Sequence, residues 1–164
     1  MFAAAAVDAG TKLLLLESAQ PPPGAVDLLD LGCGYGPIAL TLARRAPDAT
    51  VWAVDVNQRA LDLCAANAVA SGLTNVRAVK PDTVPAEIRF NGIWSNPPIR
   101  IGKPALHDLL VSWLDRLEEG AHAWLVVQKH LGSDSLARWL EETGWSADRR
   151  VSRAGYRILE VARR

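Results

Sequence analysis

Two short segments of this chain combine residue types and spacings that could support a group-transfer reaction. The first is a glycine-rich turn from Asp30 to Gly36, and the second is Ser95-Asn96-Pro97-Pro98-Ile99. Glycines let a ligand lie directly against the backbone. The second segment offers amide and carbonyl oxygens beside two prolines, which fix φ and lack N–H donors. Together the segments predict a nucleoside-binding turn facing a site for a planar amino group.

The turn Gly32-x-Gly34-x-Gly36 is compatible with three interpretations. Glycines are common wherever the backbone needs a positive φ, so a plain loop is one of them. A nicotinamide site requires Gly-x-Gly-x-x-Gly, and here Pro37 stands in place of the last glycine. The spacing fits an S-adenosylmethionine loop, and so does the acidic Asp30 at its start. Cys33, inside the turn, is interpreted as a small turn residue rather than a reactive thiol.

Two further carboxylates follow predicted strands. Asp55 is placed to present two acceptors to a ribose diol, and the alternative is that it caps a helix or lies in the first turn of one. Asp82, with Thr83 beside it, could accept from an adenine amino group, and its alternative is a turn-forming Pro-Asp pair. The complete predicted cofactor-binding set is Asp30, Gly32, Cys33, Gly34, Gly36, Asp55, Val56, Asp82, Thr83 and Asn96.

Asn96, Pro97 and Pro98 form the predicted catalytic group. The Asn96 side-chain oxygen and the Pro97 carbonyl can each accept a hydrogen bond from one planar amino group, which aims its nitrogen lone pair at an electrophile. A sulfonium methyl is already activated, so positioning supplies much of the rate and no strong base is needed. The alternative is that Asn-Pro-Pro merely ends a strand.

Composition bounds the remaining interpretations. The length of 164 residues predicts one domain, residues 1–164. Lys plus Arg and Asp plus Glu balance at 18 each, so no overall field indicates a nucleic-acid partner. Two cysteines and three histidines lack metal-ligand spacing, and no metal site is expected. The apolar start, Met1–Ala6, lacks a basic region, and no apolar run approaches ~18 residues. The expectation is a cytoplasmic protein without a membrane partner.

Strand, turn and helix alternate along the chain, which favours an α/β fold with a parallel sheet covered on both faces. Strands are predicted at Val26–Leu31, Thr50–Asp55, Val76–Val79, Ile93–Ser95, Ala123–Val127 and, antiparallel at an edge, Tyr156–Val161. Helices are predicted at Thr11–Ala19, Pro37 to about Ala46, Leu61 to Val69, Ala105–Glu118 and Ser133–Glu142. Ligands of such sheets bind outside the carboxyl ends of the strands, where both opening segments fall.

The segments Ser95–Lys103, Val126–Lys129 and Gly155–Leu159 resemble the class I S-adenosylmethionine-dependent methyltransferases, specifically the ribosomal small-subunit guanine-N2 methyltransferase-like group. The resemblance runs from about Asp8 to Val161. It implies a Rossmann-like sheet of seven mostly parallel strands with an antiparallel last strand. It also implies S-adenosyl-L-methionine as cofactor, held at Gly32, Gly34, Gly36, Asp55 and Asp82, with Asn96 and Pro97 on an exocyclic amine.

The resemblance implies an RNA substrate, ribosomal in this group. Arg100, Lys103 and Lys129 could meet phosphates, although each alone is an ordinary surface charge. Ile99 completes the predicted substrate-binding residues. It departs from the group, where an aromatic residue often follows the second proline to stack on the base. Adenine N6, a protein glutamine, a small molecule and a non-catalytic scaffold remain alternatives.

Two expectations concern residues outside these segments. From Arg149 to Arg164 six arginines face one acid, Glu160, and a solvated tail is favoured over a basic strand. The six tryptophans are expected in the core rather than as stacking platforms.

Overall fold

A seven-stranded sheet forms the centre of the computed structural model, which describes residues 7–164. Met1–Ala6, where no signal peptide is expected, lie outside the described residues. The strands are β1 (Asp27–Leu31), β2 (Thr50–Val54), β3 (Val76–Val79), β4 (Gly92–Ser95), β5 (Ala123–Gln128), β6 (Trp145–Arg153) and β7 (Tyr156–Arg163). Their order is β3-β2-β1-β4-β5-β7-β6. The first five are parallel, and β7 runs antiparallel to both β5 and β6. The predicted α/β fold is confirmed.

Helices cover both faces of the sheet, as a parallel sheet requires. In the described chain they are α1 (Ala9–Glu17), α2 (Pro37–Arg45), α3 (Gln58–Ala70), α4 (Lys103–Leu114) and α5 (Ser133–Glu142). Alternate residues of β1 serve the two faces: Leu28 packs with α1, α2 and α3, and Leu29 packs with α4 and α5. Each face therefore has its own apolar core.

The ends of two helices differ from prediction for identifiable reasons. Helix α1 begins before Thr11 because Asp8 Oδ1 accepts from Thr11 N at 2.8 Å and caps it. Helix α4 ends at Leu114 because the following backbone pairs with Phe90, which donates to Arg116 O and accepts from Glu118 N at 2.8 Å each. Neither contact can be predicted from the spacing of apolar residues in the sequence.

The C-terminal segment differs most from prediction. Residues 145–163 form the β6–β7 hairpin, so the expectation of a solvated tail is wrong. β7 lies inside the sheet, and β6, not β7, is the edge strand. Arg150 Nε contacts Glu160 Oε1 at 3.3 Å, and Arg153 contacts Glu17 at 3.0 Å. The arginines that favoured the interpretation as a solvated tail lie on an exposed edge strand. Charged side chains on such a strand discourage pairing with another chain.

The tryptophans occupy the apolar cores, as predicted. Four are buried, namely Trp94, Trp113, Trp124 and Trp145, and two are partly buried, Trp52 and Trp139.

Candidate active site

The candidate site lies at the edge of the sheet where the parallel strands end. Asp30, Asp55 and Asn96 all fall at or just after carboxyl ends of parallel strands. Because β7 is antiparallel, its first residue, Tyr156, lies at the same edge, in register with Gln128 at the end of β5. Chain segments far apart in sequence therefore meet here.

The glycine turn is anchored to β2 by its backbone. Gly32 N and Cys33 N both donate to Val54 O, at 2.8 and 2.9 Å. Gly32 and Gly34 have φ of 75° and 55°, which side chains rarely adopt. The Cys33 side chain is buried, and its thiol donates to Gly34 O at 3.4 Å, so at this residue the turn offers backbone rather than side chain.

Gly36 is required by packing as well as by backbone conformation. Its φ is 104°, and a Cβ atom there would lie 2.7 Å from both Cys64 Sγ and Leu40 Cδ1. Its carbonyl accepts from Leu40 N at 2.9 Å, which starts α2. The end of the turn is thereby pressed against α3.

Asp55 connects the glycine turn to the start of α3. Its Oδ2 accepts from Gly34 N and its Oδ1 from Asn57 N, both at 2.9 Å. Each carboxylate oxygen has a further acceptor position. The carboxylate can therefore hold the turn and still accept from a ligand.

Asp30 lies beneath the turn and is fully buried. Its Oδ2 accepts from Ala39 N at 2.9 Å, while its Oδ1 has no partner within residues 7–164. Burial raises the pKa of Asp30 to about 8, against the opposing hydrogen bond from Ala39 and with a smaller contribution from the charge of Asp55. The carboxyl is therefore largely protonated at neutral pH.

A cavity of about 470 Å³ opens between the glycine turn and α4. Its lining residues are Leu31, Gly32, Val54, Asp55, Val56, Pro81, Asn96, Pro98, Ile101, Ala105 and Leu109. Val56 is 76% exposed and Ile101 50% exposed, so apolar side chains stand open beside a carboxylate. A ligand with an apolar ring and a diol fits this combination. We call this the cofactor cavity.

The predicted cofactor-binding residues fall into three groups around the cofactor cavity. Lining it are Gly32, Asp55, Val56 and Asn96. Forming or supporting the turn are Asp30, Cys33, Gly34 and Gly36. Asp82 and Thr83 are exposed in a 3-10 turn whose first residue, Pro81, lines the cavity.

Helix α1 orients the Asn96 side chain. Asn96 Nδ2 donates to Thr11 Oγ1 at 3.3 Å and to Asp8 Oδ2 at 3.5 Å. With Nδ2 engaged, Oδ1 remains as the acceptor. The Pro97 carbonyl accepts from Ile99 N at 2.9 Å and keeps one further acceptor position. Both predicted acceptors are present.

A second cavity, of about 400 Å³, lies on the other side of Asn96, and we call it the acceptor pocket. Its lining residues are Asp8, Asn96, Pro97, Pro98, Ile99, Arg100, Val127, Gln128, Leu131 and Tyr156. The two cavities share Asn96 and Pro98. Groups bound in the two cavities would therefore meet at the Asn-Pro-Pro segment.

The predicted substrate-binding residues are distributed around the acceptor pocket. Ile99 and Arg100 line it. Lys103 lines a smaller neighbouring depression that shares Ile99 and Leu131 with the pocket. Lys129 is exposed directly after Gln128. Two of the four residues therefore line the pocket, and Lys103 and Lys129 lie outside its lining.

Sequence reasoning missed four residues of this site: Asp8, Thr11, Gln128 and Tyr156. Gln128 could have been predicted, since it directly follows a predicted strand at the edge where ligands bind. Tyr156 needed the antiparallel direction of β7 to be combined with that rule. Asp8 and Thr11 carry the signal of a helix cap, which does not say what the helix packs against.

No group of three His, Cys, Asp or Glu residues within residues 7–164 could hold a metal ion. Over the same residues, no helix combines the length and apolar character needed to cross a membrane.

Residues 1–160 match the family described as the methyltransferase small domain. The uncharacterized protein YbxB of Bacillus subtilis is 36% identical over 98% of this chain and 81% of its own length. The ribosomal RNA small subunit methyltransferase C of Shewanella sediminis is 30% identical over 90% of this chain and 44% of its own length.

Among solved structures, the 16S rRNA guanine-N2 methyltransferase of T. thermophilus, in complex with S-adenosylmethionine and guanosine, is similar with a TM-score of 0.81. The identity is 27%, over 99% of this chain and 45% of that protein. The chain thus spans less than half the length of these two RNA methyltransferases.

Proposed function

The chain belongs to the methyltransferase small domain family and is an S-adenosylmethionine-dependent methyltransferase, and we propose that it methylates guanine N2 of ribosomal RNA. The observation that carries this proposal is the meeting of the two cavities at Asn96 and Pro98. A methyl donor in one cavity and an amine in the other would react across this segment.

The residues of the cofactor cavity suit S-adenosylmethionine. Asp55 would accept from the ribose hydroxyls while continuing to hold the glycine turn. Val56 and Ile101 would contact the adenine ring, and Asp82 with Thr83 would meet its amino group from the rim. Bound there, S-adenosylmethionine supplies an activated methyl group on a sulfonium centre.

The acceptor pocket would position the amino group of the substrate. Asn96 Oδ1 and the Pro97 carbonyl would each accept one hydrogen of the amino group, which holds the nitrogen lone pair toward the cofactor cavity. Asn96 is preorganised for this by Thr11 and Asp8, so little rotational freedom is lost on binding. The amine releases its proton once methylation has made it positively charged, and no side-chain base is required for attack.

Ribosomal RNA is proposed as the substrate class on two grounds. The two similar methyltransferases of Shewanella sediminis and T. thermophilus are named for ribosomal RNA. Arg100 lines the acceptor pocket, Lys103 lines the depression beside it, and Lys129 follows the lining residue Gln128 in the chain. These three cations are suited to phosphates. Such a substrate would place the reaction in the cytoplasm.

The deciding experiment is mass spectrometry of nucleosides from unmodified small-subunit ribosomal RNA incubated with the protein and S-adenosylmethionine. We expect N2-methylguanosine. Methylated adenine alone, or methylated protein glutamine with RNA unchanged, would overturn the guanine assignment. Absence of cofactor binding by calorimetry would instead indicate a scaffold.

Asn96→Ala tests the catalytic role. Loss of one oriented polar group that acts in the transition state should lower kcat by roughly 10²–10³. The affinity for S-adenosylmethionine, measured by calorimetry, should change much less. Equal losses in both quantities would indicate collapse of the loop.

A further inference from the structure

A hydrogen-bonded pair, Gln128 and Tyr156, forms part of the acceptor pocket wall. Gln128 ends β5, Tyr156 begins β7, and the two are partners in register. Gln128 Nε2 donates to Tyr156 Oη at 3.2 Å. Both residues line the pocket together with Asn96.

The direction of this hydrogen bond determines what the pair can offer a ligand. Because Nε2 of Gln128 is engaged, its Oε1 remains as an acceptor. Because Tyr156 Oη accepts, its own proton remains for donation. Neither group has another hydrogen-bond partner within residues 7–164. The pair therefore presents an acceptor beside a donor.

Tight packing fixes the position of the Tyr156 ring. A Cβ atom on Gly10 of α1 would lie 2.6 Å from Tyr156 Cε1, so only glycine lets the helix approach the ring this closely. The same helix holds Asn96 through Thr11. The pair and the amine-binding Asn96 thus share one rigid support.

Nucleobases differ in what stands beside their amino group. In guanine, the N2 amine is next to the N1–H donor, and the O6 acceptor lies beyond. In adenine, acceptors flank the N6 amine, and in cytosine the N3 acceptor lies next to the N4 amine. The pocket offers acceptors for the amine at Asn96 and Pro97, followed by the acceptor of Gln128 and the donor of Tyr156. Among these three bases, only guanine has the groups that match this order.

We propose that Gln128 and Tyr156 select guanine by reading its Watson–Crick edge. Gln128 Oε1 accepts from N1–H, and the Tyr156 hydroxyl donates to O6. An adenine in the same position would set its N1 lone pair against Oε1, which leaves buried polar groups unpaired. The inference rests on the proposed function and names the residues that determine its base specificity.

Three variants test the pair. Gln128→Leu removes the amide at similar volume, and Tyr156→Phe removes only the hydroxyl. Gln20→Leu is the matched control, since Gln20 is exposed and lines a separate cavity, away from the acceptor pocket. Methyl transfer to unmodified small-subunit ribosomal RNA should lose roughly ten- to a hundredfold in kcat/KM for Gln128→Leu and roughly three- to tenfold for Tyr156→Phe. The control and all affinities for S-adenosylmethionine should stay unchanged.

A base replacement separates recognition from a general structural effect. RNA oligonucleotides would carry guanine or 2-aminopurine at the methylated position, located by mass spectrometry of nuclease fragments of the treated RNA. 2-Aminopurine keeps the amine but has an N1 acceptor and no O6. The replacement should cost the wild type roughly ten- to a hundredfold in kcat/KM and Gln128→Leu less than about threefold.

The outcomes distinguish the two proposals. Equal discrimination by the wild type and Gln128→Leu would overturn the inference and leave guanine methylation standing. If the wild type methylates only adenine, or no RNA, the proposed function and the inference both fail. Should Gln128→Leu not fold, as judged by circular dichroism, Tyr156→Phe decides, and unchanged kcat/KM in that variant overturns the inference.

Discussion

Asp30 and Asp55 both lie against the glycine turn, but one is buried and the other is partly exposed. Asp30 is buried and accepts one backbone N–H, while Asp55 is partly exposed and accepts two. Burial favours the neutral carboxyl of Asp30 and raises its pKa, against the opposing hydrogen bond from Ala39. Both acids could be recognised from their places at strand ends. Their environments could not, because burial depends on helices that close over the turn.

Asp55→Ala should weaken S-adenosylmethionine binding by roughly ten- to a hundredfold, since hydrogen bonds to a charged group contribute about 1.5–3 kcal/mol. The measurement is calorimetry. Asp62→Ala is the matched control, because Asp62 is an exposed carboxylate on α3 whose one side-chain hydrogen bond within residues 7–164 comes from Gln58. Unchanged affinity in folded Asp55→Ala would remove the ribose assignment. Some stability loss is also expected, because Gly34 N and Asn57 N lose their acceptor.

Asp30 should make stability depend on pH. Its folded pKa of about 8 lies above the ordinary value of 3.8 for an aspartic acid, so the folded state binds the extra proton between these values. Stability is therefore greatest at the acid end of this window and falls as pH rises toward 8, by at most about 1.4 kcal/mol per pH unit for one proton. Denaturant unfolding between pH 5 and 8, a range of about three units within that window, should show this slope in the wild type and not in Asp30→Asn. Identical slopes would contradict the assignment.

At the level of elements, α1 supports the site more than its position in the sequence suggests. The helix itself was predicted from its apolar residues. Its contacts with Asn96 and Tyr156 were not, because they join segments separated by most of the chain. Local patterns predict that a helix exists, and only the assembled sheet specifies what it touches.

Thr11→Val should lower kcat by roughly three- to thirtyfold, because loss of the Thr11 hydroxyl frees the Asn96 amide to rotate. Thr11→Ser keeps the hydroxyl and should restore most of the rate. The affinity for S-adenosylmethionine should be the same in both variants. If Thr11→Val and Thr11→Ser have the same single-turnover rate, α1 does not position Asn96.

The β6–β7 hairpin illustrates a limit of sequence patterns at the same scale. Arg149 and Arg157 made this segment look like a solvated tail, yet both contact Asp134 of α5. Those ion pairs hold the pKa of Asp134 below its usual value, with the Arg149 hydrogen bond as the largest cause. Partners of this kind depend on tertiary contacts and leave no periodic signal.

For the molecule as a whole, the balanced net charge conceals an uneven distribution. Several C-terminal arginines are engaged with acids or backbone carbonyls. The cations around the acceptor pocket, Arg100, Lys103 and Lys129, have no ion-pair partner within residues 7–164. That residues 1–164 form a single domain stays a prediction.

Replacing Arg100, Lys103 and Lys129 together by alanine should make RNA binding less dependent on salt. Three lost contacts to single-stranded phosphates would reduce the slope of log K against log salt by about 2. The matched control is a triple replacement of Arg44, Arg89 and Arg164, all exposed at the opposite edge of the sheet. RNA titrations at several salt concentrations measure the slope for both triple variants. An equal reduction of the slope in the control would contradict the assignment of Arg100, Lys103 and Lys129 to phosphate binding.

The antiparallel placement of β7 has a consequence for protein synthesis. The cofactor cavity is lined by residues between Leu31 and Leu109, whereas the acceptor pocket needs Asp8 and Tyr156. During translation the first set leaves the ribosome well before Tyr156 does. The acceptor pocket therefore cannot be complete until Tyr156 has left the exit tunnel, whereas the residues that line the cofactor cavity are free to fold before then.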